Sequence, residues 1–351
     1  MAVTTTAALP DHRALLSDAT GAAALRGTGP QRVLVVVPTK GRPERVRRQV
    51  AALPAGYDVA VLATAAEDLP SDLPERSGLM RRTGPYPNVG RSFGTPHPDL
   101  SAKRNIGLAM GRSGGYQAVV FIDDDVEVTA ADLEAMVAAL GRYTVVARPS
   151  VGVADHSMLY KVMGHAGLVT PFISGSCLAT RTTYDGVFPD IYNEDWFFMW
   201  PALCRHEIGR LGDVRQVEVG TGPGGTGRRA AAEETGDVLA EGFLRSLHEL
   251  PAVSWAEEAE RTVRTEQYWS RALHRRHFLY ELAYTVLDRF PGPDREAMTD
   301  SLRAGHNSLS ELDARELADI AAELCAGPAH TFGDGDVAQM AASVMSERVR
   351  S

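Results

Sequence analysis

An α/β fold built on a mostly parallel sheet is what this 351-residue sequence predicts, and three observations predict it. Residues 33–37 and 118–122 are apolar at every position, as strands covered by helices on both faces must be. Segments of helical periodicity separate such runs, the alternation that builds a parallel sheet. After about Arg228 the chain reads as helix alone, rich in Ala, Glu, Leu and Arg. That gives three regions: a flexible tail over 1–30, a sheet-bearing region over 31–227 and a helical C-terminal region over 228–351.

Each element has its own signal. The Ala/Thr/Gly-rich stretch 1–30 ends at Gly27-Thr28-Gly29-Pro30, a boundary signature. The strand at 33–37 is broken by Pro38-Thr39-Lys40-Gly41-Arg42-Pro43, and 44–53 carries a helical pattern with Pro43 in its first turn. Residues 59–62 form a second strand and complete a βαβ opening. Residues 66–100, rich in Pro and Gly and poor in periodicity, read as an irregular surface excursion. Ser101 caps a helix through Arg112, which Gly114-Gly115 ends. The strand 118–122 runs directly into Asp123-Asp124-Asp125. A helix from Thr129 or Ala130 to Leu140 and a strand at 144–147 follow. Over 149–192 one strand is legible, at 172–179. Asn193-Glu194-Asp195 then opens a capped helix before Trp196-Phe197-Phe198-Met199-Trp200, and the glycine-rich stretch 220–227 reads as a flexible loop.

Composition removes several function classes. With 36 Lys and Arg against 45 Asp and Glu, the net charge of −9 repels phosphate backbones and excludes general nucleic-acid binding. Three cysteines, Cys177, Cys204 and Cys325, form no CxxC pair, which argues against a disulfide framework or a cysteine–zinc cluster. No apolar run approaches the ~20 residues of a membrane span, and charged residues interrupt the first thirty. The expectation is a cytoplasmic protein without a transmembrane segment.

Three features could carry chemistry. Adjacent carboxylates at a strand end repel one another, and a hard divalent cation such as Mg²⁺ or Mn²⁺ compensates them while holding a diphosphate. A solvated acidic turn would also account for the triplet. Strand alternation would set Asp123 and Asp125 on one side and Asp124 on the other. Glu194 and Asp195 either complement a helix N-terminus or, among Tyr192, Trp196 and Phe197, are desolvated enough to act as a general base. Lys103 and Arg104 lie close to a helix start, where they oppose the helix dipole unless an anion compensates them or solvent takes them.

These motifs, in this order, resemble the family 2-type glycosyltransferases of the GT-A fold, a Rossmann-like sheet flanked by helices. The resemblance covers about residues 31–220. It rests on Val35-Val36-Val37-Pro38-Thr39-Lys40-Gly41-Arg42-Pro43, Lys103-Arg104-Asn105-Ile106-Gly107-Leu108, Phe121-Ile122-Asp123-Asp124-Asp125, Ile173-Ser174-Gly175-Ser176 and Asn193-Glu194-Asp195-Trp196. It implies transfer of a sugar from a nucleoside-diphosphate-sugar donor, UDP- or GDP-linked, to a hydroxyl or amine of a small-molecule acceptor. Pro38, Thr39, Arg42, Lys103, Arg104, Asp123 and Asp124 would border the donor. Asp123 and Asp125 would hold the metal, Mg²⁺ or Mn²⁺, and Asp195, with Glu194 beside it, would deprotonate the acceptor. A late histidine completes the metal site in many such enzymes, and His248 is the candidate. The second strand ends in Leu62-Ala63-Thr64-Ala65, without the usual base-gripping acid, so Glu67 or Asp68 would substitute. The C-terminal helices would shape the acceptor pocket, a homodimer interface, or both.

Two alternatives remain beside this reading. A nucleotidyltransferase of similar fold would place a Gly-rich, Arg/Lys-containing loop after the first strand to grip a triphosphate, of which Thr39-Lys40-Gly41-Arg42 is a poor version, and a sugar-nucleotide binder without turnover would need only the binding residues. A haloacid-dehalogenase-type phosphatase is excluded, because Glu127 stands where its pattern needs Thr or Val and a full βαβ unit precedes the acids.

Overall fold

The computed structural model describes residues 10–24, 29–73, 77–152, 157–169, 172–217, 227–250, 255–289, 295–327 and 336–346. A mixed α/β layer forms its centre: a mostly parallel sheet flanked by helices. In chain order the elements are β1 (Ser17–Asp18), α1 (Thr20–Ala23), β2 (Val33–Thr39), α2 (Pro43–Ala52), β3 (Asp58–Ala63), β4 (Leu79–Thr83), α3 (Pro98–Ser113) and β5 (Ala118–Ile122). There follow β6 (Val126–Glu127), α4 (Ala130–Ala139), β7 (Val145–Val151), α5 (Met158–His165), β8 (Ile173–Arg181), α6 (Glu194–Cys204), β9 (Ile208–Arg210) and β10 (Val214–Gln216). The strands lie in the order β1-β9-β7-β8-β5-β2-β3-β4, with β10 beside the end of β7 and antiparallel to β6. β8 runs antiparallel to both neighbours, whereas β5, β2, β3 and β4 are mutually parallel.

The unbroken apolar runs are explained by two cores, one on each face. Leu34, Val36 and Phe121 pack with Ile106 and Met110 of α3. Val35, Val37, Val120 and Ile122 pack with Val46 and Val50 of α2 and Leu133 and Met136 of α4. At Gly107, α3 comes so close that a Cβ would stand 2.8 Å from Val36 Cγ2 and 3.0 Å from Phe121 Cε1. Thr129 caps α4 reciprocally with Asp132, satisfying N–H groups that the helix cannot.

From residue 227 on, every described element is a helix: α7 (Gly227–His248), α8 (Trp255–Val263), α9 (Glu266–Leu287), α10 (Arg295–Ser310), α11 (Ala314–Ala326) and α12 (Asp336–Ser346). α7 packs against α6, α8, α9 and α10, and α12 returns to lie on α3. Among the described residues no helix is long and apolar enough to cross a membrane.

Several sequence expectations need correction. Residues 10–24 of the expected flexible tail are folded: Asp11 caps a 3₁₀ turn at His12–Leu15, His12 and Leu15 are buried, and β1 pairs parallel with β9. The region 66–100 contains β4, an edge strand whose exposed Arg81 and half-buried Arg82 disguise it in the sequence. α3 starts at Pro98 with His97 in the capping position, so Ser101 is inside the helix. α5 went unread altogether. Asn193 precedes α6 in the left-handed region (φ 62°) and gives no side-chain cap. Residues 220–226 of the glycine-rich loop lie outside the described residues, and Gly227 begins α7.

Candidate functional site

Parallel strands deliver their carboxyl ends to one edge of the sheet, where ligands bind in open α/β sheets. β2 and β5 end there at Thr39 and Ile122, and antiparallel β8 begins there. The register Ile122↔Cys177 sets Ser176 next to Asp123, whose N–H donates to the Ser176 carbonyl at 2.9 Å. Two parts of the chain fifty residues apart are thereby fixed side by side.

The acidic triplet does not alternate as a strand would, because it turns immediately after β5. Asp124 and Asp125 both accept from Arg42 Nη1, at 2.6 and 3.0 Å. Asp124 also takes the Thr39 hydroxyl at 2.5 Å, and Gln216 Nε2 donates to Asp125 at 3.3 Å. Asp123 instead faces Arg104, whose Nη2 donates to it at 3.1 Å. Pro38 lies buried within β2, one residue before Thr39, and contributes backbone to this edge.

Arg104 links the triplet to the Glu-Asp pair. Its Nη1 is bonded to Glu194, and its side chain is 3% exposed. Gly175 makes room for this guanidinium, since a Cβ there would stand 2.6 Å from Arg104 Nη1. The Gly175 N–H in turn donates to Asp195 Oδ2 at 2.5 Å, and the Trp196 N–H to Asp195 Oδ1 at 2.9 Å. Lys103 points the other way. Its Nζ donates to the Thr39 carbonyl at 2.9 Å and to Thr64 Oγ1 at 2.7 Å, and pairs with Asp99 at 2.7 Å. The anions expected near Lys103 and Arg104 are thus the protein's own.

Burial sets the electrostatics. It pushes the Glu194 carboxyl up to about 7 against the opposing Arg104 charge, with Asp195 adding to the rise. Asp195 rises for the same reason, held back by Arg104 and by the Gly175 and Trp196 N–H groups. Asp123 is pushed up to about 6 by burial and by Asp125 and Asp124, although Arg104 opposes it. Asp124 rises with burial, against Arg42 and the Thr39 hydroxyl. Burial pulls the Arg104 guanidinium down, but Asp123, Glu194 and Asp195 outweigh it and hold it charged. Lys103 is lowered by burial despite Asp99. Desolvated carboxylates poised near neutrality are suited to proton transfer.

Pro38, Thr39, Arg42, Lys103, Arg104, Asp123, Asp124, Asp125, Glu194 and Asp195 therefore meet at one edge. His248 does not join them. Its Nε2 lies 3.1 Å from His12 Nδ1, and His12 Nε2 bonds Glu241 at 2.9 Å. Asp68 accepts the Gly41 and Ala65 N–H groups at 2.6 and 2.9 Å, tying the loops after β2 and β3 together. Sequence reading missed Thr64, Asp99 and Gln216. Asp99 carried one signal, its spacing of four residues before Lys103 on a helix. The three cysteines are free thiols.

No protein-family model matches the chain, and no curated protein does. Among solved structures, it is similar to the crystal structure of a "putative nucleotide-diphospho-sugar transferase" from Desulfovibrio desulfuricans G20. That likeness is 14% in identity, covers 53% of this chain and 82% of the other, and has a TM-score of 0.31. The functional reading therefore rests on this chain's own geometry.

Proposed function

We propose that this chain is a GT-A-type glycosyltransferase. It takes a nucleoside-diphosphate sugar at the carboxyl edge of its sheet and moves the sugar to a hydroxyl or amine of a small acceptor. One observation supports this above the others. A single bonded network joins Thr39 and Arg42, the Asp123–Asp125 turn, Arg104, and the Glu194–Asp195 pair, so donor-holding and proton-accepting groups share one rigid frame.

The triplet offers hard carboxylate oxygens, the donor chemistry Mg²⁺ and Mn²⁺ take. Arg42 already holds positive charge between Asp124 and Asp125, and its side chain is 34% exposed, so it would border a bound diphosphate from that position. Among the described residues no three His, Cys, Asp or Glu side chains are arranged as a ligand set. Asp123 and Asp125 would hold the cation together with donor phosphate oxygens, the usual manner for Mg²⁺. When bound, the cation would stabilise the departing diphosphate.

The protein's own groups do the rest. Thr39 and Lys103 fix the loop that borders the nucleotide. Arg104 keeps Asp123 and Glu194 in register and supplies buried positive charge beside the reacting centre. Asp195, pinned by two backbone N–H groups, presents a desolvated carboxylate that accepts the acceptor's proton as its oxygen or nitrogen attacks.

The test is calorimetry and turnover on UDP-, GDP-, ADP- and TDP-sugars with and without Mn²⁺. Saturable, Mn²⁺-strengthened binding of one donor, weakened at least tenfold in Asp125→Ala, is the expected result. Binding without donor hydrolysis or transfer would leave a sugar-nucleotide binder. No binding in the whole panel would sink the assignment.

A further inference from the structure

We propose that His12 is a positioning residue for Asp195. It clamps the start of α6 to the start of β8, and the carboxylate is held between N–H donors from those two segments. The inference rests on the reading of Asp195 as the proton acceptor.

The two backbone donors that pin Asp195 belong to distant parts of the chain, Gly175 in β8 and Trp196 in the first turn of α6. Both reach the carboxylate only while those segments stay together. Aromatic side chains join them. Phe172, one residue before β8, meets Trp196 edge to face, with ring centroids 5.3 Å apart and planes at 82°. The His12 ring stands edge-on to both, 5.7 Å from Phe172 and 5.9 Å from Trp196. Steep ring–ring angles of this kind are the favourable ones. His12 is the member of the trio that comes from outside the two segments.

The choice of histidine follows from its anchors. Burying an imidazole is costly unless its nitrogens are bonded, and His12 is 9% exposed. Its Nε2 bonds Glu241 Oε2 at 2.9 Å, and its Nδ1 lies 3.1 Å from His248 Nε2. The ring cannot turn without losing both bonds, so the edges it presents to Phe172 and Trp196 are fixed. An aliphatic residue would fill the space without that orientation. The anchor is itself held, since Glu241 Oε2 also accepts from the Tyr160 hydroxyl at 3.1 Å. One helical turn before Glu241 on α7, Asp237 accepts from Asn193 Nδ2 at 2.8 Å. The start of α6 is thus tied to α7 twice, directly through Asn193 and through Trp196, His12 and Glu241.

The segment that carries His12 has other attachments. β1 pairs with β9, the Ala19 N–H donates to the Arg210 carbonyl at 2.9 Å, and Leu15 and Ala22 are buried. Replacing His12 therefore loosens the rings without detaching residues 10–24.

The experiment combines amide hydrogen exchange with donor calorimetry and turnover on wild type, His12→Ala and Arg13→Ala. Exchange at Gly175 reads the clamp, and exchange at Asp123, whose N–H donates to the Ser176 carbonyl, reads the neighbouring sheet. In His12→Ala, Gly175 should exchange at least tenfold faster and Asp123 at the wild-type rate. Its kcat should fall by about 10–10²-fold, the scale of a small misplacement, with donor affinity unchanged. Arg13→Ala, altered at an exposed side chain of the same segment, should match wild type throughout. Should Asp123 lose protection as well, His12→Gln, which keeps a polar group beside Glu241 but no ring, is read by the same criteria. Unchanged exchange at Gly175, or a loss of donor affinity with kcat kept, would overturn the proposal. A wild type without turnover on any donor would sink the assigned reaction instead, and Gly175 exchange would still decide the clamp.

Discussion

Two buried arginines, each closed in by carboxylates, do different work in this molecule. Arg276 sits between Glu234 and Asp237 in the helical region, and all three side chains are 2–3% exposed. Arg104 sits between Glu194 and Asp123 at the sheet edge, where Asp123 is 23% exposed and Asp195 adds a further acid. The helical cluster is sealed and extended by Tyr280, Ser157 and Asn193, which bond its acids. The sheet-edge cluster has more acid than base and opens to solvent. A sealed network of one arginine and two acids fixes structure; an open one that carries a third acid keeps carboxylates near neutrality and ready for a ligand.

The sharpest way to break this comparison is to remove each arginine. Arg276→Met strands Glu234 and Asp237 without a partner, and losing one partner of a buried ion pair costs about 3–5 kcal/mol. Arg104→Met is expected to cost less at pH 6, because Glu194 and Asp123 can take up protons and Asp123 reaches water. Urea denaturation of both variants at pH 6 and pH 8 checks this. Equal losses at both pH values would mean that the two clusters are alike.

Asp195→Asn tests the working half. If Asp195 accepts the acceptor's proton, transfer at saturating donor falls by ~10²–10⁴ while donor affinity is kept. A loss of donor affinity with little change in rate would move Asp195 from proton transfer to binding.

Gly175→Ala probes how tightly the sheet-edge arginine is held. The new Cβ would stand 2.6 Å from Arg104 Nη1, and the guanidinium cannot yield without losing Glu194 or Asp123. Overpacking of this kind costs about 1–3 kcal/mol. Here it should also weaken donor binding, whereas an alanine at the open Gly164, where nothing lies within 4 Å, should not.

How much of this was legible beforehand follows from the range of each interaction. The central strands announced themselves because residues 33–37 and 118–122 are apolar on both faces, a local pattern with one structural solution. The acidic turn, the Lys103-Arg104 pair and Glu194-Asp195 were visible as motifs, and the register of β5 with β8 explains why they meet. β4 was hidden because an edge strand can carry Arg81 and Arg82. Strand alternation pairs Asp123 with Asp125, whereas Asp124 and Asp125 share Arg42, because alternation ceases where a strand ends. His248 was assigned to the wrong neighbours because only the fold brings His12, 236 residues away, against it. The Arg276 cluster was invisible for the same reason: its acids lie 39 and 42 residues away on another helix.

The smallest effect expected is also the one that reads the sheet-edge charge most directly. Folding raises Glu194 from its ordinary 4.5 to about 7 and Asp123 from 3.8 to about 6. Between those values the folded chain binds more protons than the unfolded one, so raising the pH withdraws stability. The contribution is complete below about pH 4 and is lost as pH passes through about 6 and then 7, at a slope of at most ~1.4 kcal/mol per pH unit for each group. Glu194→Gln abolishes its share, and its stability curve should be flatter between pH 5 and pH 8 than that of wild type. If Glu194→Gln and wild type trace parallel curves, Glu194 is ionised throughout. Protonation would then no longer set the sheet edge apart from the Arg276 cluster.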